Sequence, residues 1–148
     1  MQSGMNRALF LVLFILVCCP VRATDTVINI LANETVNTEA LSPAQVRLIF
    51  AGRTQFWPNG ERVKVFVLPA SNPTHTDFCR SVLQIYPYQL ERIWQRITYS
   101  GQGDAPVIVT SVEDMVAKVA ATPGSIGYVN FNGTPPEGTY LLQIGERE

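Results

Sequence analysis

The order of apolar segments predicts an α/β domain with a mixed, largely parallel sheet flanked by helices. Three observations carry that reading. Short β-branched runs, of which Val63-Lys64-Val65-Phe66-Val67-Leu68 is the clearest, alternate with segments whose apolar residues recur at helical spacing. Two of the helical segments open at capping residues, Ser42 and Ser111, each followed three positions on by Gln45 or Asp114. Nothing after residue 23 reads as a linker, an internal repeat or a low-complexity tract, so 24–148 is expected to be one domain.

In chain order, Val27–Leu31 is the first expected strand and the polar stretch Asn33–Thr38 a loop. Ser42 then caps a helix. Pro43 suits its first turn, where an N–H would go unbonded, and Gln45 completes a capping box. Val46, Ile49 and Phe50 form its apolar stripe, and Gly52 ends it. Phe56-Trp57-Pro58-Asn59-Gly60 is a turn with two aromatics, and Trp57 reads as the side chain that pins it. After the strand Val63–Leu68 and a break at Pro69–Pro73, Thr74–Tyr86 reads as one helix with Phe78, Val82 and Ile85 on one stripe. Pro87 opens another, with Leu90, Ile93, Trp94 and Ile97 as its apolar face. A glycine-containing loop, Tyr99–Pro106, leads to the strand Val107–Val109. Ser111 caps a helix carrying Val112, Met115, Val116 and Val119, closed by Thr122-Pro123-Gly124. Ile126–Val129 and Thr139–Ile144 are the last two strands.

The chain is 47% hydrophobic and only 16% charged, and the apolar excess is concentrated at its start. Arg7 precedes an unbroken apolar run, Ala8–Cys19, which Pro20 breaks before Val21-Arg22-Ala23. This is the layout of a secretory signal, and the run is shorter than the roughly 20 residues of a membrane span. We expect 1–23 to be a signal peptide, 24–148 the mature domain, the location periplasmic or secreted, and no stable membrane anchor after cleavage. Cleavage would move the net charge from −1 to −3 and leave Cys79 as the only cysteine, too few for an internal disulfide. With no basic surplus, nucleic acid is not an expected partner.

The single histidine, His75, excludes any site built on two. The chain has no Cys-x-x-Cys, no His-Glu-x-x-His, no acidic calcium loop and no Gly-x-Ser-x-Gly elbow, so no metal site, cofactor or catalytic residue is expected. His75 and Cys79 could share a helical face, but no acid orients them, and Cys79 reads as a small buried hydrophobe. Gly101-Gln102-Gly103 lacks the third glycine of a dinucleotide fingerprint. What remains is Ser71-Asn72-Pro73-Thr74-His75-Thr76, which follows the strongest strand and opens a helix. Two readings stay open there. Hydroxyl, amide and imidazole groups beside helix N–H groups make an oxyanion site. Alternatively Asn72 before Pro73, or Thr74 with Asp77, caps the helix with no ligand, and Asp77 would repel an anion.

The ordered motifs resemble a known family. Leu41-Ser42-Pro43-Ala44-Gln45-Val46-Arg47-Leu48-Ile49-Phe50-Ala51-Gly52-Arg53, the turn Phe56–Gly60, the block Trp94–Gly103 and Pro123-Gly124-Ser125-Ile126-Gly127-Tyr128-Val129 are together similar to the phosphate-binding, type 2 periplasmic binding proteins of ABC transporters. The resemblance covers about residues 41–131. It implies one lobe of such a protein, where full members bind an oxyanion between two. The chain departs from the family in two places. No Gly/Ser-rich phosphate loop precedes Leu41, and Pro69–Thr76 stands where the family has an Arg-x-Asp-x-Ser-x-Thr type segment, without its arginine and aspartate.

The expected function is therefore non-enzymatic: an exported, solute-binding-like protein for phosphate or a similar small oxyanion, related to ABC phosphate uptake. Ser71, Asn72, Thr74, His75 and Thr76 are the expected ligand residues, and a transporter permease or another envelope protein the expected macromolecular partner. The alternative is an envelope interaction or sensory module that has kept the fold and lost the ligand site.

Overall fold

The computed structural model describes residues 27–145, and the expected signal segment lies outside them. The elements are β1 (Asn29–Asn33), β2 (Ala40–Leu41), α1 (Pro43–Phe50), β3 (Lys64–Val67), α2 (Pro73–Phe78), a π-helical turn (Cys79–Leu83), α3 (Pro87–Tyr99), β4 (Val107–Ile108), α4 (Val112–Ala121), β5 (Ser125–Val129) and β6 (Thr139–Ile144). One sheet holds the strands in the order β2-β6-β1-β5-β3-β4. The pairs β2–β6, β3–β5 and β3–β4 are parallel, while β1 pairs antiparallel with both β5 and β6. Five strands thus run one way, and β1 alone opposes them at the centre. The sheet is mixed and largely parallel, as the alternation of elements predicts.

Both faces of the sheet are covered because adjacent side chains of β5 point to opposite sides. Gly127 faces α4, where an added Cβ would lie 2.3 Å from Met115 Sδ. Tyr128 faces the other way and stacks on Phe78, with ring centroids 3.9 Å apart and planes 5° from parallel. Phe50 of α1 closes edge-on against Phe78 at 4.7 Å. Every residue of β5 is buried, as a strand covered on both faces should be.

Helix starts follow the chemistry of their caps. Ser42 Oγ accepts from Gln45 N–H at 3.2 Å, and Gln45 Oε1 accepts from Ser42 N–H at 2.8 Å, which completes the expected capping box. At α4, Ser111 Oγ accepts from Asp114 N–H at 3.1 Å. The Asp114 carboxylate turns instead to Thr110, accepting from its N–H at 2.9 Å and its hydroxyl at 3.1 Å, and these bonds hold its pKa below the ordinary value. Trp57 is buried and its indole donates to Gly124 O at 2.9 Å, pinning the aromatic turn to the loop after α4.

Three local expectations are corrected. The first strand begins at Asn29 and takes in Asn33, expected in a loop. Asn33 is buried, and its amide donates to Val119 O at 2.8 Å and Ala120 O at 3.0 Å, so a polar residue ends the strand by satisfying carbonyls of α4. A second short strand, β2, precedes the Ser42 cap. Thr74–Tyr86 is not one α-helix. After Phe78 the chain widens into the π-helical turn, and Gln84 stops it in the left-handed region at φ 58°. The wider turn rotates the buried stripe to Phe78, Cys79 and Leu83 and leaves Val82 and Ile85 half-buried.

Candidate functional site

Residues 69–76 leave the carboxyl end of β3 and enter α2, an edge where open α/β sheets bind ligands. Asn72 is the N-cap of α2. Its side-chain Oδ1 accepts from Thr74 N–H at 2.9 Å, and its carbonyl accepts from His75 N–H at 3.0 Å and Thr76 N–H at 3.2 Å. The first backbone donors of the helix are therefore all engaged by Asn72, the capping arrangement left open by the sequence. The other polar groups divide in two. Ser71 is exposed, and Asn72 and Thr76 are partly exposed. Thr74 and His75 are buried.

His75 belongs to an internal chain of hydrogen bonds. Leu68 N–H donates to the Tyr128 hydroxyl at 2.8 Å, and that hydroxyl lies 2.5 Å from His75 Nδ1. With the tyrosine proton given to Nδ1, the ring proton sits on Nε2, which lies 3.5 Å from Cys79 Sγ. Burial holds the His75 pKa below its ordinary value, pushes the Cys79 thiol up to about 12 and raises that of Tyr128, the Leu68 N–H working against the last shift. All three groups are thus neutral at neutral pH. The Cys79–His75 proximity is that of a nucleophile and base, but a thiol so far from ionising is inert. The pair packs and orients; the expected role of Cys79 as a small buried group agrees with this.

The sequence motifs did not single out a groove between α3 and the β3–β4 edge. It consists of two adjoining hollows of about 370 and 340 Å³ that share Trp94, Ala105 and Pro106 as walls. The first is polar at its mouth, where Arg62 and Asp104 form an ion pair at 2.6 Å between exposed side chains. Gly52 and Gly103 line it: a Cβ on Gly52 would run into the Trp94 ring at 2.8 Å, while one on Gly103 would meet the movable end of Gln55 at 2.8 Å. The second is bordered by Val67, Leu68, His75, Leu90, Tyr99 and Ile108. Among the described residues, Trp94 Nε1 is the one fully buried side-chain nitrogen or oxygen without a hydrogen-bond partner. The sequence signals of the groove are a tryptophan on a helix face, Trp94, and glycines in two connections, Gly52 and Gly103.

Among the described residues no cluster of three His, Cys, Asp or Glu side chains could hold a metal ion, and no helix is long and apolar enough to cross a membrane. The arrangement is that of an α/β domain with polar side chains gathered at the end of a strand. No protein-family model matches the chain, and no curated protein is similar to it in sequence. Its fold is that of phosphate ABC transporter substrate-binding proteins. It is similar to PstS from Borrelia burgdorferi, with a TM-score of 0.60 and 14% identity over 82% of this chain and 48% of that one. It is also similar to a putative phosphate ABC transporter substrate-binding protein with bound phosphate from Clostridium perfringens, with a TM-score of 0.62 and 13% identity over 79% and 44%. An ABC-type phosphate transport receptor from Vibrio cholerae matches at 0.54, with 13% identity over 82% and 47%. The chain spans about half the length of each of these proteins.

Proposed function

We propose that this chain is an exported, solute-binding-like protein that binds phosphate or a similar small oxyanion without turnover and acts in the setting of ABC phosphate uptake. One observation carries the reading. In a fold shared with proteins named for phosphate, the Ser71, Thr74 and Thr76 hydroxyls and the Asn72 Nδ2 make no hydrogen bond to the described residues, and all four leave the same strand end. Asn72 Oδ1 occupies the place on Thr74 N–H that an anion oxygen would take. Binding would rotate the carboxamide, exchange one acceptor for another on that N–H and turn Nδ2 toward the anion. His75 would shape the site from behind through Tyr128 rather than touch the ligand. Delivery to a transporter permease, and a periplasmic or secreted location, follow from this reading.

Isothermal calorimetry and thermal melting with inorganic phosphate and with sulfate test it. Heat and a rise in Tm with either anion are expected, and neither response from either anion would overturn it. The second reading, an envelope interaction or sensory module, is favoured by the engagement of the Thr74, His75 and Thr76 backbone amides by Asn72. Ser71→Ala with Thr76→Ala separates the two. Loss of anion binding supports the first reading, and unchanged partner behaviour with no anion response supports the second.

A further inference from the structure

We propose that Asn132-Gly133 is a site of self-modification, at which the backbone nitrogen of Gly133 displaces ammonia from the Asn132 side chain while the Asn29 amide holds the oxygen that takes up charge. The site lies apart from the strand-end donors and does not depend on the oxyanion reading.

Asn132 and Gly133 are exposed in the connection between β5 and β6. The reaction needs an amide nitrogen free to turn onto the side chain before it. Gly133 N–H makes no hydrogen bond to the described residues, and a Cβ added there would meet nothing nearer than Phe131 at 4.0 Å. Without a side chain, Gly133 also reaches backbone angles closed to other residues. The electrophile is held as well. Asn29, at the start of β1, donates through Nδ2 to Asn132 Oδ1 at 2.7 Å and to Phe131 O at 2.8 Å. The second bond fixes the donor beside the loop. The first polarises the Asn132 carbonyl, and it strengthens when that oxygen becomes an anion, so it favours the transition state over the ground state.

Hydroxide removes the Gly133 amide proton, and the nitrogen's electron pair attacks Asn132 Cγ. The new N–Cγ bond leaves a tetrahedral oxyanion on Oδ1. Its collapse breaks the Cγ–Nδ2 bond, and the departing nitrogen takes a proton from water and leaves as ammonia, which regenerates hydroxide. Water then opens the succinimide ring at either carbonyl. One opening gives aspartate at 132, the other isoaspartate, whose main chain runs through the side-chain carbon. The sum is amide plus water to carboxylic acid plus ammonia, with no oxidant or cofactor. Either product places a negative charge beside Asn29, at the end of the β1–β5 ladder.

The chain's other Asn-Gly pair is built the opposite way. Asn59 Oδ1 also accepts, from Glu61 N–H at 3.0 Å, but Gly60 N–H donates to Trp57 O at 2.9 Å inside the aromatic turn. Its nucleophile is engaged, and the fold should protect it. Asn72 is followed by Pro73, which has no N–H, and Asn33 is buried with its amide bonded to α4.

The test is incubation of the protein over days at pH 7.5, in buffer and in guanidinium chloride. Peptide mass spectrometry then separates asparagine, aspartate and isoaspartate at both pairs. In buffer Asn132 is expected to convert while Asn59 stays intact, and in denaturant both should convert at similar rates. Asn29→Ala should slow conversion of Asn132 in the folded protein by about three- to tenfold, the worth of one hydrogen bond. Continued protection of Asn59 in the same digest shows that this variant is folded. The comparison of buffer with denaturant on the unaltered protein stands whether or not it is. Conversion of Asn132 in denaturant alone, or equal conversion of the two pairs in buffer, would overturn the proposal. So would an Asn29→Ala protein that keeps Asn59 protected and converts Asn132 at the parent rate or faster.

Discussion

Removing one oxygen atom, by Tyr128→Phe, tests whether the internal hydrogen-bond chain is structural. The phenyl ring stays, so the stack on Phe78 at 3.9 Å and the contact with Phe50 are preserved. Two buried groups lose their partner at once: Leu68 N–H, which donates to the hydroxyl at 2.8 Å, and His75 Nδ1, 2.5 Å away. A buried polar group left unpaired costs about 1–3 kcal/mol. The pair shares one deleted atom and can relax together, so the expected loss is about 2–4 kcal/mol. Against a total stability of about 5–15 kcal/mol this is a large fraction. With a urea slope of about 2 kcal/mol/M, the midpoint should fall by about 1–2 M. Urea unfolding followed by tryptophan fluorescence at pH 7.5, for the parent and the variant, gives the number. A midpoint shift under about 0.3 M with an unchanged slope would refute the reasoning, since the hydroxyl would then be bonding to nothing that needed it.

His75 should make stability depend on pH. Its folded-state pKa is lowered by burial, so below about pH 6.5 the unfolded chain takes up a proton that the folded chain refuses. The stability His75 contributes is therefore complete above that pH and declines as pH falls toward the folded-state value. The urea midpoint between pH 7.5 and 5 should show the slope, and His75→Gln should flatten it, because the chain has no other histidine. Gly127→Ala would place a Cβ 2.3 Å from Met115 Sδ and 3.3 Å from Val119, and should cost about 1–3 kcal/mol by overpacking. Combining it with Met115→Ala should cost less than the sum of the two single changes in the same assay. Cys79 is fully buried, with its thiol pushed up to about 12. Its peptide should stay unlabelled by a thiol reagent in the native protein and become labelled in urea, as read by mass spectrometry.

The elements of the fold were legible where one residue carries an unambiguous local signal. Ser42, Pro43 and Gln45 place the start of α1 because their bonds are made within four residues. The strand at Val65–Val67 is legible because a β-branched run so short, bounded by turns, has few other uses. Asn33 looks like loop in the sequence because its partners, Val119 and Ala120, lie far along the chain. The π-helical turn was invisible for a related reason. Helical periodicity gives a stripe but not a one-residue insertion, and the insertion is what buries Leu83 and leaves Val82 half-exposed.

At the candidate site, Asn72 as a cap could be read from its place before Pro73, a purely local rule. The burial of Thr74 and His75 could not, because nothing near His75 in sequence names Tyr128 as its partner. Gly127 packs against Met115 as its place in a short buried strand suggests, whereas the reach of the Tyr128 hydroxyl to the backbone of Leu68 is written nowhere near it in the chain. The groove beside Trp94 arises from how α3 stands off the sheet edge, a relation between elements that no single segment encodes.

The reversed strand at the centre of the sheet has a consequence for when the protein can fold. Ile30 pairs with Tyr128 on one side and Leu142 on the other. During synthesis β1 emerges first and waits for roughly a hundred residues before either neighbour exists. The parallel β3–β4 pair can form earlier, but its link to β1 runs through β5. Both ladders of β1 therefore form only near the end of synthesis, and a ribosome stalled before Ser125 would hold an early strand with neither of the ladders that hold β1 in the finished sheet.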